Sequence, residues 1–538
     1  LTLNATVNGA YTLTLNSTAA TTFAGVVGGS AAPTGINTNA DGTVVFNTTA
    51  ITSAGAQLYR ENATIGGNIT FTTGDNDITF SGTLDSVSDT KTLTIVAGSG
   101  DTTFSGTVGG SEALGNTTIG VAGLTASAFK VQGTLAITNS AESEIDGVIS
   151  DGDSAAILTK AGNAKLTLSG NNTFTGAVTV NAGRLQITHA NGLGGTDGAT
   201  TVADGGRLNI NGGLTIAEAI TINGTGDSSK GALHFNGGNN TVSGNITLGA
   251  DAKIHSHTGT QTISGTINGA HGLTITGTDD FTISGIIGGS TALDSVAATI
   301  TNSGTFTVGA NITTSGNQTY TAAGGIVTSG ARTFTSNSGT VNFVSALSGD
   351  NNVTVTGAAD IDGAITDIAV LAISGASNIG ANITTSGTQT YTGAVTLSAA
   401  VTLTTSSDVI TFEDTVNSAN STRRNLTLAT GGNSTEINFD GIVGGSQAVG
   451  AIAITGALDL NAAITDATSL SVSGVSNLGA DVTTTGTQTY SAATTLSGAA
   501  RTLEGSTIQT TTINGAQNLA ITGNLDLNGI IGGSNAIG

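Results

Sequence analysis

The segment that decides the fold is FTISGIIGGS, residues 281–290. Its first four residues alternate apolar and hydroxyl side chains, which is the pattern of a β-strand with one buried face. The Gly-x-x-Gly-Gly-Ser sequence that starts at Gly285 supplies residues that tolerate the positive φ angles of tight corners. The segment therefore predicts a short strand that ends in a sharp turn.

The same alternation recurs throughout the chain, for example as ITFT at residues 69–72, LTLS at residues 166–169 and LTIT at residues 273–276. Gly, Asn or Asp interrupts these segments every five to eight residues. No segment combines a 3.6-residue apolar period with helix caps. The sequence predicts an all-β protein.

Internal repeats distinguish a solenoid from a string of β-sandwich domains. The Gly-x-x-Gly-Gly-Ser motif also starts at Gly25, Gly106, Gly441 and Gly529, at spacings of one or two units of about 80–90 residues. A second motif, ANITTSGNQTY at residues 310–320, returns at residues 381–391 and 480–490, and residues 361–400 align with residues 460–499 as a direct repeat. Such variable unit lengths suit stacked coils, because each coil contacts only its neighbours.

A single continuous solenoid over residues 1–538 is therefore the predicted domain organisation. Pro occurs once, at Pro33, which agrees with ladder strands that need their N–H groups. With roughly 20 residues in a coil the chain makes about 27 coils, and at about 4.8 Å per strand spacing these form a rod on the order of 130 Å long.

Composition excludes several classes of protein. With 81 Gly and only 9% charged residues the chain is unusual, but 37% hydrophobic residues allow it to bury a thin, continuous core, unlike a disordered chain. A net charge of −22 argues against nucleic acid and anionic membranes as partners. The absence of Cys excludes disulfides and Cys-based metal sites, and no apolar run is long enough to span a membrane. Since the chain starts at Leu1 and ends within a repeat, we expect a processed or partial chain, with any signal peptide or anchor outside it.

One stretch carries a specific family resemblance. Residues 158–187 read LTKAGNAKLTLSGNNTFTGAVTVNAGRLQI. This closely resembles the passenger-associated transport repeat of bacterial autotransporters. Departures are small: Asn163 and Ala164 stand where Gly and Thr are common, and Phe174 where Tyr is usual. The GTVGGS and TQTY units are similar to those of filamentous-haemagglutinin-like proteins and rickettsial-type outer-membrane surface proteins.

The resemblance implies a right-handed parallel β-helix that is secreted by a type V route. It also implies an extracellular role, in adhesion or in a protein coat, at the bacterial cell surface or outer membrane. No catalytic motif and no cofactor come with it.

The densest acidic patch consists of five residues: Glu142, Glu144, Asp146, Asp151 and Asp153. Strand alternation places the first three on one face, which would suit a hard cation such as Ca²⁺. A calcium site is one hypothesis, and a solvated acidic face is the favoured alternative. No Lys or Arg lies between Lys130 and Lys160 to act as the proton acceptor of a polysaccharide lyase.

Other candidate residues favour structural interpretations. Asp360 and Asp362 share a face, but no glycosidase motif surrounds them. His255 and His257 lie on one strand face, with His271 predicted to lie near them one coil further on, and a surface histidine pair is favoured over zinc. The tyrosines of the TQTY motif are too far apart for one aromatic platform, so they are expected in corners or in the core: Tyr320, Tyr391 and Tyr490.

The predicted function is a non-enzymatic extracellular scaffold, adhesive or coat-forming, with no catalytic residues. Its expected partners are host or neighbouring cell surfaces and their glycans, and further copies of the chain in an array or filament. A surface-layer or sheath subunit is the alternative within this class. A polysaccharide-degrading β-helix enzyme is the alternative from another class.

Overall fold

The computed structural model describes residues 1–88, 90–532 and 537. The chain divides into two compact units, Leu1–Thr276 and Gly277–Gly538. Both consist of short β-strands, and the described residues contain no α-helix, only a 3-10 turn at Asp227–Ser229. The all-β prediction is confirmed, whereas the single continuous solenoid stays a prediction.

The strands of the first unit are mostly three to five residues long. They are Thr2–Leu3, Thr12–Leu15, Ala20–Phe23, Gly35–Thr38, Thr43–Phe46, Ala50–Ser53, Gln57–Tyr59, Asn62–Ile65, Ile69–Thr73, Ile78–Phe80, Leu84–Ser86, Leu93–Val96, Thr102–Val108, Thr117–Val121, Leu124–Asn139, Ser143–Ile145, Ile149–Ala161, Lys165–Leu168, Val178–Val180, Gly183–Ile187, Thr200–Val202, Gly206–Asn211, Thr215–Ile216, Ile220–Gly224, Leu233–Gly237, Thr241–Val242, Ile246–Ser256, Gln261–Ile263, Ile267–Asn268 and Gly272–Gly277.

The second unit is built from the same kind of strand. Its strands are Phe281–Ile283, Ser295–Ile300, Phe306–Val308, Ile312–Thr314, Gln318–Ala322, Ile326–Thr328, Arg332–Phe343, Leu347–Ser348, Val353–Ile361, Ile365–Ile368, Leu371–Ile373, Ser377–Ile379, Ile383–Thr385, Gln389–Tyr391, Val395–Leu397, Val401–Thr405, Ile410–Phe412, Val416–Ser418, Leu426–Ala429, Glu436–Phe439, Val449–Thr455, Ala457–Leu460, Ile464–Val472, Ser476–Leu478, Val482–Thr484, Gln488–Tyr490, Thr494–Leu496, Arg501–Thr510, Ile513–Asn514 and Leu519–Leu527.

Parallel strands stack coil upon coil, in about 25 turns altogether. Coils differ in length. The coil that separates Leu371 from its partner Gln389 is shorter than the coil that separates Ile410 from its partner Ile437. The number of turns is slightly below the predicted number because several coils are longer than the sequence analysis assumed. The predicted parallel β-solenoid is confirmed.

Most strands bury alternate residues, as their sequence pattern requires. In Ile69–Thr73 the residues at positions 69, 71 and 73 are buried, and the two Thr between them are half-buried. Because ladders are in register, like side chains stack from coil to coil: Phe80 and Phe104 lie 5.3 Å apart with nearly parallel rings, as do Phe412 and Phe439 at 5.1 Å. These inner ladders form the core.

The direct repeat predicted from the sequence is a structural repeat. Ile361 pairs with Ile379 in the first copy, and Leu460 pairs with Leu478 in the second. Both copies contain a register shift at the same place, after Ile365 and after Ile464. The two copies therefore share one coil length and the same ladder irregularity.

Candidate functional site

The predicted acidic patch lies mainly on the outside of the first unit. Glu142, Glu144 and Asp146 are all exposed. Glu142 forms an ion pair with Lys165 at 3.2 Å, and Glu144 accepts a hydrogen bond from the Ser169 hydroxyl at 3.1 Å. Two of the three carboxylates therefore already have protein partners.

The other two acidic residues lie in the next strand, Ile149–Ala161. Asp151 accepts a hydrogen bond from the backbone N–H of Ala156 at 2.7 Å and another from the Thr175 hydroxyl at 2.8 Å, whereas Asp153 is exposed. Across residues 1–88, 90–532 and 537, no three His, Asp or Glu side chains converge as a metal centre would require. Calcium binding by this patch stays a prediction.

A second cluster, which the sequence analysis did not single out, is basic. Three neighbouring strands of the first unit, Lys165–Leu168, Gly183–Ile187 and Gly206–Asn211, are in parallel register, so that Lys165 pairs with Arg184 and Arg184 pairs with Arg207. One cation is therefore stacked on the next from coil to coil. The chain has only 13 Lys and Arg residues, which makes such a column unusual.

A second column of polar side chains runs beside the cations. Gln186 pairs with Asn209, Asn209 with His234, and His234 with His255. Together with the cations these side chains line a cavity of about 350 Å³, the basic groove. Its lining residues are Lys165, Arg184, Gln186, Arg207, Asn209, Lys230, His234, Asn236, His255 and His257.

A tight loop contacts two arginines of the groove. The 3-10 turn places the Asp227 carboxylate 3.0 Å from Nη2 of Arg207 and 3.6 Å from Nε of Arg184. The loop is closed by a hydrogen bond from the Gly231 N–H to the Thr225 carbonyl at 2.8 Å. Arg207, which this loop contacts, is only 5% exposed although it lies on the outer side of its strand.

A buried lysine lies close to this cluster. Lys160 is fully buried, and its ammonium donates hydrogen bonds to the carbonyls of Ala161, Gly162 and Ala182 at 2.6, 2.8 and 3.2 Å. All three donors are used. Burial, with a further contribution from the charge of Arg184, lowers the pKa of Lys160 to about 8, while Asp227 acts in the opposite direction.

Two of the three histidines that line the groove, His234 and His255, are stacked and neutral at pH 7. The rings of His234 and His255 lie 5.3 Å apart at an angle of 2°. His234 Nδ1 lies 3.0 Å from Asn209 Oδ1, and His255 Nδ1 lies 2.8 Å from Thr276 Oγ1. Burial, followed by the charge of Arg207, lowers the pKa of His234 to about 3, and burial, followed by that of Lys253, lowers the pKa of His255 to about 4. Their rings therefore act at neutral pH as uncharged hydrogen-bonding groups.

The sequence analysis did not name the ring that stacks on His255. The ring stacked on His255 is that of His234, one coil earlier. His271 Nδ1 instead lies 4.0 Å from Asp251 Oδ1. Coil lengths around this point differ, so spacing alone does not identify which residues stack.

The remaining candidates have structural partners. Asp360 accepts hydrogen bonds from the amides of Asn342 and Asn378 in the coils on either side, at 3.2 and 2.7 Å. Asp362 is exposed. The TQTY tyrosines are fully buried, which confirms their predicted packing role: Tyr320, Tyr391 and Tyr490.

A sequence signal for the basic groove does exist. The three strands read KLTL at residues 165–168, RLQI at residues 184–187 and RLNI at residues 207–210. A cation, an apolar residue, a polar residue and an apolar residue thus recur at coil spacing. The signal is recognisable once the coil register is known.

Two comparisons with known proteins give matches. The passenger-associated-transport-repeat family matches residues 158–187. The adhesin BmaC autotransporter of Brucella suis biovar 1 (strain 1330) is 34% identical over 112 residues, which are 20% of this chain and 3% of that protein. No solved structure matches the chain. The part of the chain that the structure describes has no helix that is long and apolar enough to cross a membrane.

Proposed function

We propose, from the premise that residues 158–187 form a passenger-associated transport repeat, that this autotransporter passenger is displayed on a bacterial cell surface as a non-enzymatic adhesive scaffold. The repeat supports secretion to the cell surface. The adhesin named above supports the adhesive role, although the similar segment is a small part of that relative.

The observation that carries the proposal is the position of the repeat within the coils. Leu158 pairs with Val178, and Leu166 pairs with Leu185, so the repeat supplies consecutive coils of the β-solenoid. The repeat and its surroundings form one ladder system. It therefore supports a passenger in which the whole segment serves as stacked, surface-displayed structure.

The adhesive mechanism follows from repetition. Outward Thr, Asn and Asp side chains recur at the same place in successive coils, as Asn378, Thr396 and Asn417 do in one ladder of the second unit. Similar weak contacts that repeat along a rigid surface add through multivalency. Such a surface suits a ligand that is itself repetitive.

The test has two measurements. Immunogold labelling of producing bacteria should place the chain outside the cell, and beads coated with the purified chain should adhere to cultured cells more than beads coated with heat-unfolded chain. Label confined to the cell interior, or equal adherence of the two bead preparations, would contradict the proposal. Ordered arrays in electron micrographs would favour the sheath alternative, and release of sugar from acidic polysaccharides would favour the enzyme.

A further inference from the structure

The basic groove is a concentration of positive charge on an acidic protein. Four basic side chains line it, those of Lys165, Arg184, Arg207 and Lys230. Glu142 and Asp227 offset two of these charges, and two remain. The chain as a whole carries a net charge of −22, so this excess is local and needs an explanation.

Arg184 and Arg207 together form a site for a negatively charged group, here called the anion seat. Asp227 places a carboxylate between Arg184 and Arg207, which shows that the pair can bind such a group. Arg184 approaches Asp227 through Nε, at 3.6 Å, and its side chain remains 36% exposed. Guanidinium groups bind carboxylate and sulfate with paired N–H donors, so this seat has donors that Asp227 leaves unused.

The neutral lining residues distinguish the ligand class. Gln186, Asn209 and Asn236 offer amides, and His234 and His255 offer uncharged rings, beside the cations. These groups suit hydroxyl groups, which both donate and accept hydrogen bonds. The lining contains no Phe, Tyr or Trp on which a nucleic-acid base could stack. The acidic surface of the rest of the chain also repels a long phosphate backbone.

We propose that the basic groove binds an acidic glycan, a saccharide chain whose carboxylate or sulfate groups meet Arg184, Arg207 and Lys230 while its hydroxyl groups meet the amide and imidazole column. Donors are stacked about 4.8 Å apart, one coil after another, so the glycan lies across the strands. The inference deepens the proposed adhesive function and rests on it, because it names the ligand class of one adhesive surface.

The test uses the purified full chain and four probes in surface plasmon resonance. These are heparin as a sulfated glycan, polygalacturonate as a carboxylated glycan, dextran as a neutral control and double-stranded DNA as a phosphate polymer. Binding to at least one acidic glycan but not to dextran is expected, and it should weaken with added salt because the contacts are ionic. Absence of binding to both acidic glycans, or tighter binding of double-stranded DNA than of either glycan, would overturn the proposal.

Matched variants locate the binding. Arg184→Gln combined with Lys230→Gln should weaken the binding of the acidic glycan at least tenfold. The control removes two charges elsewhere in the first unit, Lys91→Gln combined with Lys130→Gln, and should change affinity less than twofold. Equal affinities of the two double variants would overturn the assignment to the groove.

A third variant tests the seat itself and does not remove a groove cation. Asp227→Asn keeps the side-chain size but removes the internal carboxylate, so the acidic glycan should bind several-fold more tightly. Unchanged or weaker affinity would overturn the assignment of Arg184 and Arg207 as the anion seat. If beads adhere to cells while the purified chain binds no acidic glycan, the glycan inference fails and the adhesive function stands.

Discussion

At the scale of single residues, buried polar side chains are tolerated because their partners are supplied locally. Four buried tyrosines each donate a hydrogen bond to Oε1 of the glutamine two residues earlier, at 2.8–3.0 Å: Tyr59, Tyr320, Tyr391 and Tyr490. The glutamine amide in turn donates to a backbone carbonyl of the next coil, as Gln389 does to Thr404. Such a satisfied network stabilises the stacking of adjacent coils.

We predict that Gln389→Leu destabilises this part of the second unit by about 1–3 kcal/mol, because the Tyr391 hydroxyl and the Thr404 carbonyl lose their buried partner. Tyr391→Phe should cost about 1 kcal/mol. Amide hydrogen exchange of the strands Gln389–Tyr391 and Val401–Thr405 measures the effect. The half-buried Thr390 between the two residues provides the control, and an effect of Thr390→Val as large as that of Gln389→Leu would contradict the network.

Because of the buried carboxyl of Glu218, we predict that the free energy of unfolding depends on pH. Its side chain is buried and accepts a hydrogen bond from the Thr200 hydroxyl at 2.6 Å. Burial raises the pKa of this carboxyl to about 7, although the bond from Thr200 acts in the opposite direction. The folded chain therefore binds the proton more tightly than the unfolded chain does. The resulting stabilisation is complete below about pH 4.5 and is lost as the pH rises through about 7.

In the wild-type chain we therefore expect Glu218 to lower the free energy of unfolding by about 3 kcal/mol between pH 4.5 and pH 8. Glu218→Gln should remove this decrease. Urea unfolding of the wild-type chain and the variant at several pH values measures the difference. Glu144→Gln, on an exposed carboxylate, is the control and should keep the wild-type profile. Parallel pH profiles of the wild-type chain and Glu218→Gln would contradict the prediction.

At the scale of structural elements, the Gly-x-x-Gly-Gly-Ser motif forms a corner whose glycines are needed for close approach between coils. Gly28 has a φ of 77°, and a Cβ there would collide with the Thr52 carbonyl of the next coil. The serine that ends the motif receives a cap from the previous coil, since the N–H of Ser30 donates to Asn8 Oδ1 at 3.0 Å. The Gly109, Gly288 and Gly444 copies repeat this positive φ. The last copy, from Gly529, lies partly outside the described residues.

Gly28→Ala should destabilise the first unit by at least about 1–3 kcal/mol, the cost of a left-handed conformation for a residue with a side chain. The collision with Thr52 adds to that cost. Gly67→Ala is the matched control, because a Cβ at Gly67 meets nothing within 4 Å. Thermal unfolding followed by circular dichroism compares them, and equal midpoints for the two variants would contradict this account of the corner.

At the scale of the whole molecule, stability depends on contacts between neighbouring coils, so the chain tolerates changes by whole coils. In the second unit Leu371 pairs with Val353 on one side and with Gln389 on the other. Removal of positions 371–388, a whole coil, brings Gln389 into the place of Leu371 and leaves every later ladder in register. Removal of positions 371–379, half a coil, does not.

We predict that the whole-coil deletion folds, with the β-sheet circular dichroism spectrum and a midpoint of thermal unfolding close to that of the wild-type chain. The half-coil deletion is the control and should lose cooperative unfolding of the second unit, because it breaks all the local ladders. A well-folded half-coil deletion or an unfolded whole-coil deletion would contradict the coil register.

The fold class could be predicted from the sequence because every short strand carries its own signal. Alternation in segments such as residues 69–72 fixes which side chains point inward, and Gly-rich corners such as residues 25–30 fix where strands end. The exact number of turns could not be predicted, because a coil that contains an additional loop, such as the one around Asp227, is longer than a coil without one. The coil that separates Leu371 from Gln389, for example, is shorter than the coil that separates Ile410 from Ile437.

The basic groove was decided only by the tertiary structure. Lys165, Arg184 and Arg207 are each a full coil apart in sequence and carry no local signal of association, yet parallel register stacks them in one column. The turn at Asp227–Ser229 then bends back over them. A sequence determines strands through neighbours along the chain, whereas a site across a solenoid depends on which coil lies beside which, and that is set by the sum of all the ladder contacts.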